Sequence, residues 1–462
     1  MQSRQLSDWV RLLATATPET ITGAFEAMLL EARATVEGGG TVADDEARRV
    51  GEAAGQRLWT WAKHARSLDD QSHLRHLEAM RVLLRAISRG AATGRHAGDP
   101  TNRSARVSAV FDVIEFAFHS AARGAADLTF SAGRTAGREV LRVLLTGFDP
   151  FEPSGTLAPA QAGEWNPSGA AVIALDNTPV PIQAAGGRPA TAAIEGVVLP
   201  VSYTEFDTGL VERIVRSRLG QLDAAITVSM NGRIVDANAA VRIERYAVGV
   251  RDTGQPVPAA GLEPLGAPIL EARGPIQEIA QATGRPARGR RPAIPTPTIG
   301  EEITFRFASP AIANAASRTL GLAPQNRRDV AISDEQALHR ILSTMRREAN
   351  GLDLTFEAGG RSFTARVLQG PGGAFLSNEV SYRMLRMLQS AGGGPSVSFH
   401  VHTPSGTRLP QDTSTPEARR VRAEAVRDAT GLRDRVVETL RRVVAATCAS
   451  ILGSRRTRGG RP

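Results

Sequence analysis

REVLRVLLTGFDPF, residues 138–151, breaks with the character of everything before it. Val140, Leu141, Val143, Leu144 and Leu145 form a near-continuous β-type apolar run that closes on Thr146-Gly147. A run of that kind marks a central strand buried on both faces. Upstream, residues 1–138 carry helical spacing instead. Thr17-Pro18-Glu19 offers an N-cap followed by proline at the first helical position, and Phe25, Met28 and Leu29 then recur one turn apart. Comparable patterns cover roughly 44–66, 70–89 and 104–122. Downstream, IEGVVLP (194–200) and DAAITVSM (223–230) read as further strands, with a helical pattern at 207–220 between them. This alternation predicts an α/β domain with a mixed or parallel sheet after an α-helical N-terminal domain.

From about 253 to 330 the chain is rich in Pro, Gly and Ala and shows only a short strand signal at EEITFRF. It reads as an insertion or mobile loop, partly disordered. Ser333 and Gln336 form a capping box for a helix ending near Gly351, and LDLTFEAGGRSFTARVLQ (352–369) predicts two strands around a Gly-Gly turn. SVSFHVH (396–402) is another strand. A long arginine-rich helix is expected from Thr415 to about Leu452, with apolar positions at Val421, Val426, Leu432, Val436, Val437 and Leu440 and a basic disordered tail at 453–462.

The 462 residues carry a net charge of +9, yet Lys63 is the only lysine and the arginines are interspersed with acidic residues. That pattern, with only 5% aromatic residues, argues against a nucleic-acid surface. No apolar run is long enough to span a bilayer and the N-terminus lacks a secretory pattern, so a cytoplasmic protein without membrane contact is expected. Cys448 alone permits no internal disulfide. His73 and His76 lie one helical turn apart but lack a carboxylate-rich partner motif, so no metal site is expected, and no cofactor. The glycine-rich GPGGAF lacks the Lys-Ser/Thr of a phosphate loop.

Functional groups of an open α/β sheet gather beyond the carboxyl ends of its strands. Three such ends stand out: Thr146 to Phe151, Ser377 after the strand ending near Gln369, and His402 at the close of SVSFHVH. With Glu244 they supply a hydroxyl, an imidazole and a carboxylate, the parts of a nucleophile, base and orienter. Read from the residues alone, Ser377 is better taken as a helix N-cap, and Phe148 and Phe151 fit plain core positions. His400 shares a strand face with His402 by the two-residue period, so spacing does not choose between them.

Seven collinear segments resemble the pyroglutamyl peptidase I (pyrrolidone-carboxylate peptidase) family of cysteine peptidases, which remove an N-terminal pyroglutamate. LLTGFDPFEPSG (144–155) resembles the family's opening strand and TGFEPFGG loop, and WNPSGAAV (165–172) its NPS segment. VVLPV (197–201) resembles its second strand, and LDAAITVSMNGR (222–233) the strand leading to its GQAGGR loop. IERYAVGV (243–250), GGAFLSNEVSY (372–382) and VHTP (401–404) resemble the segments bearing its glutamate, cysteine and histidine.

The resemblance spans about 140–452 and implies a three-layer α/β/α domain with a twisted mixed sheet. It implies Glu244 as orienting acid, His402 as general base and Ser377 at the nucleophile position, where the family has cysteine. Phe148 and Phe151 would line the pocket for the pyrrolidone ring, with Ser229 standing where the family has a substrate-side glutamine. Two functions follow: a hydrolase of N-terminal pyroglutamyl or related amide bonds, or a catalytically lapsed peptidase-like domain that binds an N-terminus or a small lactam. The implied partner is a peptide or small-molecule substrate. The N-terminal helices would serve contacts with a second copy or another protein.

Overall fold

The computed structural model describes residues 6–64, 100–130, 139–149, 165–183, 189–231, 241–248, 269–276, 376–390 and 394–459 with single-residue gaps, and short strands or isolated residues between them. Three helices open the chain: α1 (Leu6–Thr15), α2 (Ile21–Glu37) and α3 (Asp44–His64). A fourth, α4 (Pro100–Ala121), closes their bundle. Phe25, Met28 and Leu29 of α2, Val50 and Leu58 of α3, and Phe111, Ile114 and Phe118 of α4 share one core. The start of α2 differs from expectation. Thr17 accepts from the Thr20 and Ile21 amides through its carbonyl, so residues 18–20 form a turn and the helix begins at Ile21. His73 and His76 lie outside the described residues, as do the helix expected from Ser333 to Gly351 and the GPGGAF turn.

The second part is built on a seven-stranded sheet. Its strands are β1 (Glu139–Phe148), β2 (Pro179–Gln183), β3 (Pro189–Leu199), β4 (Ala224–Asn231), β5 (Arg242–Glu244), β8 (Thr298–Gly300) and β13 (Val397–Pro404), in spatial order β2-β3-β1-β4-β13-β5-β8. The central four run parallel, while β2 lies antiparallel on β3 and β5 antiparallel on β13. Three small antiparallel pairs involve β6 (Tyr246–Val248) with β7 (Ile269–Glu271), β9 (Ile303–Arg306) with β10 (Asp329–Ile332), and β11 (Thr355–Ala358) with β12 (Arg361–Thr364). The last pair is the hairpin expected around Gly-Gly. The stretch expected as an insertion is not wholly outside the fold: β8 extends the main sheet beside β5, and Ile276 and Ile279 enter its core.

Helices cover both faces, making an α/β fold of three layers. Side chains of successive strand residues point to opposite faces, and the two cores divide accordingly. Leu141, Val143 and Leu145 of β1 pack with Ile226 and Val228 of β4 and Phe399 and Val401 of β13. On that face lie α5 (Pro167–Leu175) and α9 (Pro416–Gly459), the latter through Val436, Leu440, Val444 and Cys448. Leu144 and Phe148 belong to the other face with Val197 and Ala225, under α6 (Tyr203–Asp207), α7 (Leu210–Val215) and α8 (Leu376–Ser390). The single helix expected over 207–220 is broken because Gly209 adopts φ +77, a left-handed conformation that ends α6 and starts α7; a 3-10 helix, Arg216–Gln221, follows. The expected disordered tail is helical as far as Gly459, and Arg455 pairs with Glu139 and Asp223 at the foot of the sheet. Val421, expected as an apolar packing position, is exposed.

The helical part packs directly on the sheet. Trp59 and Ala62 of α3 sit in the sheet's core, and Lys63 bridges Asp127 and Asp176 at 3.2 Å each. Beyond the reach of β2, the free edge of β3 is capped by groups that are not strands. Ile194 accepts from the Asn177 amide, Gly196 donates to Asp176 Oδ1, and Val198 donates to the Arg123 carbonyl.

Candidate functional site

Even-numbered residues of β1, β13 and β5, and odd-numbered residues of β4, face the layer that contains α8. At the carboxyl ends of the parallel strands this row turns polar: Thr146, Thr227, Ser229, His400 and His402, joined by Glu244 from β5, and all are buried. A polar row in so dry a place requires internal partners. His402 Nδ1 lies 2.9 Å from Glu244 Oε1. A carboxylate oxygen can only accept, so Nδ1 carries the proton and Nε2 is left as the basic nitrogen. His400 makes a different set of contacts, with Nδ1 2.8 Å from Thr227 Oγ1 and Nε2 2.8 Å from Ser229 Oγ. Burial and the neighbouring His402 push its pKa well below the ordinary imidazole value. The two imidazoles meet edge to face, 4.5 Å between centroids at 79°. With both nitrogens engaged by hydroxyls, His400 is not placed to act as a base, whereas His402 has a carboxylate behind it.

Ser377 is the second residue of α8 and is half-buried. It therefore stands inside the first turn, where backbone N–H groups lack intrahelical acceptors, and not at the cap position ahead of it. Helix α8 packs on β4 and β13, the strands of Ser229 and His402. A buried charge cluster fixes it there. Arg383 donates to Glu379 one turn earlier at 2.9 Å and to Glu212 of α7 at 2.8 Å, and all three residues are buried.

The TGFD end of β1 is held from two directions. Asn166 caps α5 by accepting from the Ser168 amide and donates to the Asp149 carbonyl, while Ser168 Oγ accepts from the Phe148 amide. The approach is close: a Cβ on Gly147 would lie 2.7 Å from the Ser168 carbonyl oxygen, and one on Gly169 would collide with the carbonyl of Phe148. From the helical part, Arg123 grips Asp149 at 2.8 and 3.0 Å and donates to His119 Nδ1 at 2.7 Å. Phe148 is buried and stacks on Phe206, 6.2 Å between centroids. Phe151 lies outside the described residues.

A family model described as PA0049, C-terminal domain, matches residues 142–249. The matched stretch runs from β1 past Glu244 and stops short of Ser377 and His402. Among solved structures, the chain is similar to the crystal structure of pyrrolidone carboxyl peptidase from Thermus thermophilus, at 18% identity over 62% of this chain and 98% of that one, with a TM-score of 0.26. At that score the likeness carries no argument, and the α/β assignment rests on the strand order and pairings above. No curated protein matches the chain in sequence.

Of the residues singled out from sequence, Glu244 and His402 are in contact, and Ser229 contacts His400. Cys448 is buried in α9 and burial raises its thiol pKa strongly, so it is neither exposed nor nucleophilic there. Sequence reasoning passed over Thr227, Arg123 and Arg383. Thr146 Oγ1 is buried with no hydrogen-bond partner among the described residues and lies in register with Thr227. The signal available for Thr227 was its place two residues before Ser229 on a strand; for the arginines there was none. Among the described residues no group of three or more His, Cys, Asp or Glu side chains could hold a metal ion, and no helix is long and apolar enough to cross a membrane.

Proposed function

We propose that this chain is a pyroglutamyl-peptidase-like hydrolase acting on an N-terminal pyroglutamyl or related amide bond. The observation that carries the proposal is the buried 2.9 Å bond between His402 and Glu244 on the face packed by α8. In this reading Ser377 Oγ attacks the carbonyl carbon while His402 Nε2 takes its proton, and Glu244 holds the imidazole in the Nδ1–H tautomer and stabilises the imidazolium. The exposed N–H groups of the first turn of α8 would serve the oxyanion. His402 then returns the proton to the leaving amine, and water, deprotonated by the same base, hydrolyses the acyl-serine. Phe148 and Phe151 would flank the lactam ring. Ser229, with its hydroxyl turned to His400, would act on the substrate only through that ring. We place the activity in the cytoplasm, with the N-terminal helices available to a second copy or a protein partner.

One observation favours the second reading, a lapsed domain that binds an N-terminus or lactam without cutting it. Serine stands where a thiolate would be formed readily, and the single cysteine is remote from the site. Incubation with a chromogenic pyroglutamyl amide separates the two. Wild-type turnover abolished by Ser377→Ala supports a serine hydrolase. Turnover seen only in Ser377→Cys marks a site that has lost its nucleophile, and silence from wild type, Ala and Cys variants counts against pyroglutamate as the ligand.

A further inference from the structure

The hydrogen-bond geometry assigns His400 the part of a positioning residue for His402, locked as a neutral Nδ1–H tautomer between the hydroxyls of Thr227 and Ser229. This rests on the reading of His402 as the base of the site. Thr227 has one proton to donate, and its hydroxyl also lies 3.4 Å from the Phe399 carbonyl, which can only accept. We assign the proton to that carbonyl, so that the hydroxyl oxygen accepts from His400 Nδ1–H at 2.8 Å; the alternative is a Thr227 proton on Nδ1 with Nε2–H donating to Ser229. In the assigned state Nε2 carries the lone pair and accepts from Ser229 Oγ at 2.8 Å.

Among the described residues, no carboxylate is left to pair with a second proton on this ring. The carboxylate nearest on the sheet, Glu244, is bonded to His402, and on the packed helix Glu379 is paired with Arg383, which also holds Glu212. An unpaired buried charge is strongly disfavoured. The other titratable neighbour is His402 itself, whose imidazolium would repel a second one at 4.5 Å. A ring fixed at both nitrogens cannot rotate about its χ2 without breaking two hydrogen bonds. It therefore offers His402 a rigid aromatic wall, which restricts the His402 ring to the orientation that Glu244 accepts.

The test is a long-range ¹H–¹⁵N spectrum of histidine-labelled full-length protein, which distinguishes imidazole tautomers, recorded from about pH 8 to 5. His400 is expected as Nδ1–H throughout, without titrating. Thr227→Val should abolish that tautomer preference, whereas Ser229→Ala should preserve it and shift only the Nε2 resonance. An Nε2–H tautomer in wild type, or a His400 that titrates near the ordinary imidazole range, overturns the assignment. His400→Phe, which keeps a ring but not the clamp, should shift the His402 Nδ1–H resonance and lower kcat on a pyroglutamyl amide about 10- to 100-fold with little change in KM. An unchanged His402 Nδ1–H resonance in that variant also overturns it. Because the spectra do not depend on turnover, an inactive wild type would count against the hydrolase reading and leave the tautomer result standing.

Discussion

Glu244 is paired through its backbone with His400, yet its carboxylate bonds His402, whose own backbone partner is Arg242. The diagonal arises because the directly opposed imidazole is already committed to Thr227 and Ser229. Glu244→Gln tests what this contact contributes. The amide oxygen can still accept from Nδ1–H, but the charge that stabilises an imidazolium is gone. Turnover of a pyroglutamyl amide should fall about 10²- to 10⁴-fold with KM little changed and near-ultraviolet circular dichroism preserved. Undiminished kcat would remove Glu244 from the chemistry.

Arg383 is the charge on which the placement of α8 depends. Replacing it with alanine leaves Glu379 and Glu212 buried without their cation, which should cost about 3–5 kcal/mol in urea unfolding. Adding Glu212→Gln should restore part of the loss, since one of the orphaned charges is then removed. A loss below about 1 kcal/mol would mean that the cluster is more hydrated than its burial indicates.

Gly169 allows the start of α5 to lie against the end of β1. In Gly169→Ala the new methyl meets the Phe148 carbonyl, a backbone atom that cannot swing aside. A destabilisation of about 1–3 kcal/mol is expected, visible as a lower urea midpoint at unchanged m-value. Equal midpoints for the variant and wild type would contradict the close approach.

Acid should weaken the fold through two buried imidazoles. Burial holds the pKa values of His119 and His400 below the ordinary 6.5. The unfolded chain therefore takes up protons first as pH falls, so this stability is present above about pH 6.5 and lost below it, with a limiting slope near 1.4 kcal/mol per pH unit for each histidine. Urea titrations between about pH 7 and 5 measure the slope, and His400→Phe should reduce it by one histidine's share. A wild-type profile that stays flat over that interval would disprove the effect.

The central strands were legible because burial on both faces leaves no polar alternation to confuse them: β1, β3, β4 and β13 all lie where their apolar runs predict. The edge strand β2 was not, since PVPIQ carries Pro179 and Pro181, which sheets tolerate only where no neighbour needs the amide. β5 and β8 are three residues each, too short for any periodicity to register. The site was half legible. Strand spacing put His400 and His402 on one face, but their different states depend on Thr227 and Glu244, 173 and 158 residues away in the chain. Buried arginines such as Arg123 and Arg383 look like any other surface charge until the helices that hold them are packed.

The capping of the β3 edge by Asn177, Asp176 and the Arg123 carbonyl changes what can be cut from this protein. A chain begun at residue 139 would keep every described strand and every candidate catalytic side chain. It would also bare the Val198 amide on a sheet margin, take Trp59 out of the main core and release Asp149 from its cation. Such a fragment would present an open amide at the sheet's border and tend to self-associate through it, because the residues before it close one position of that margin.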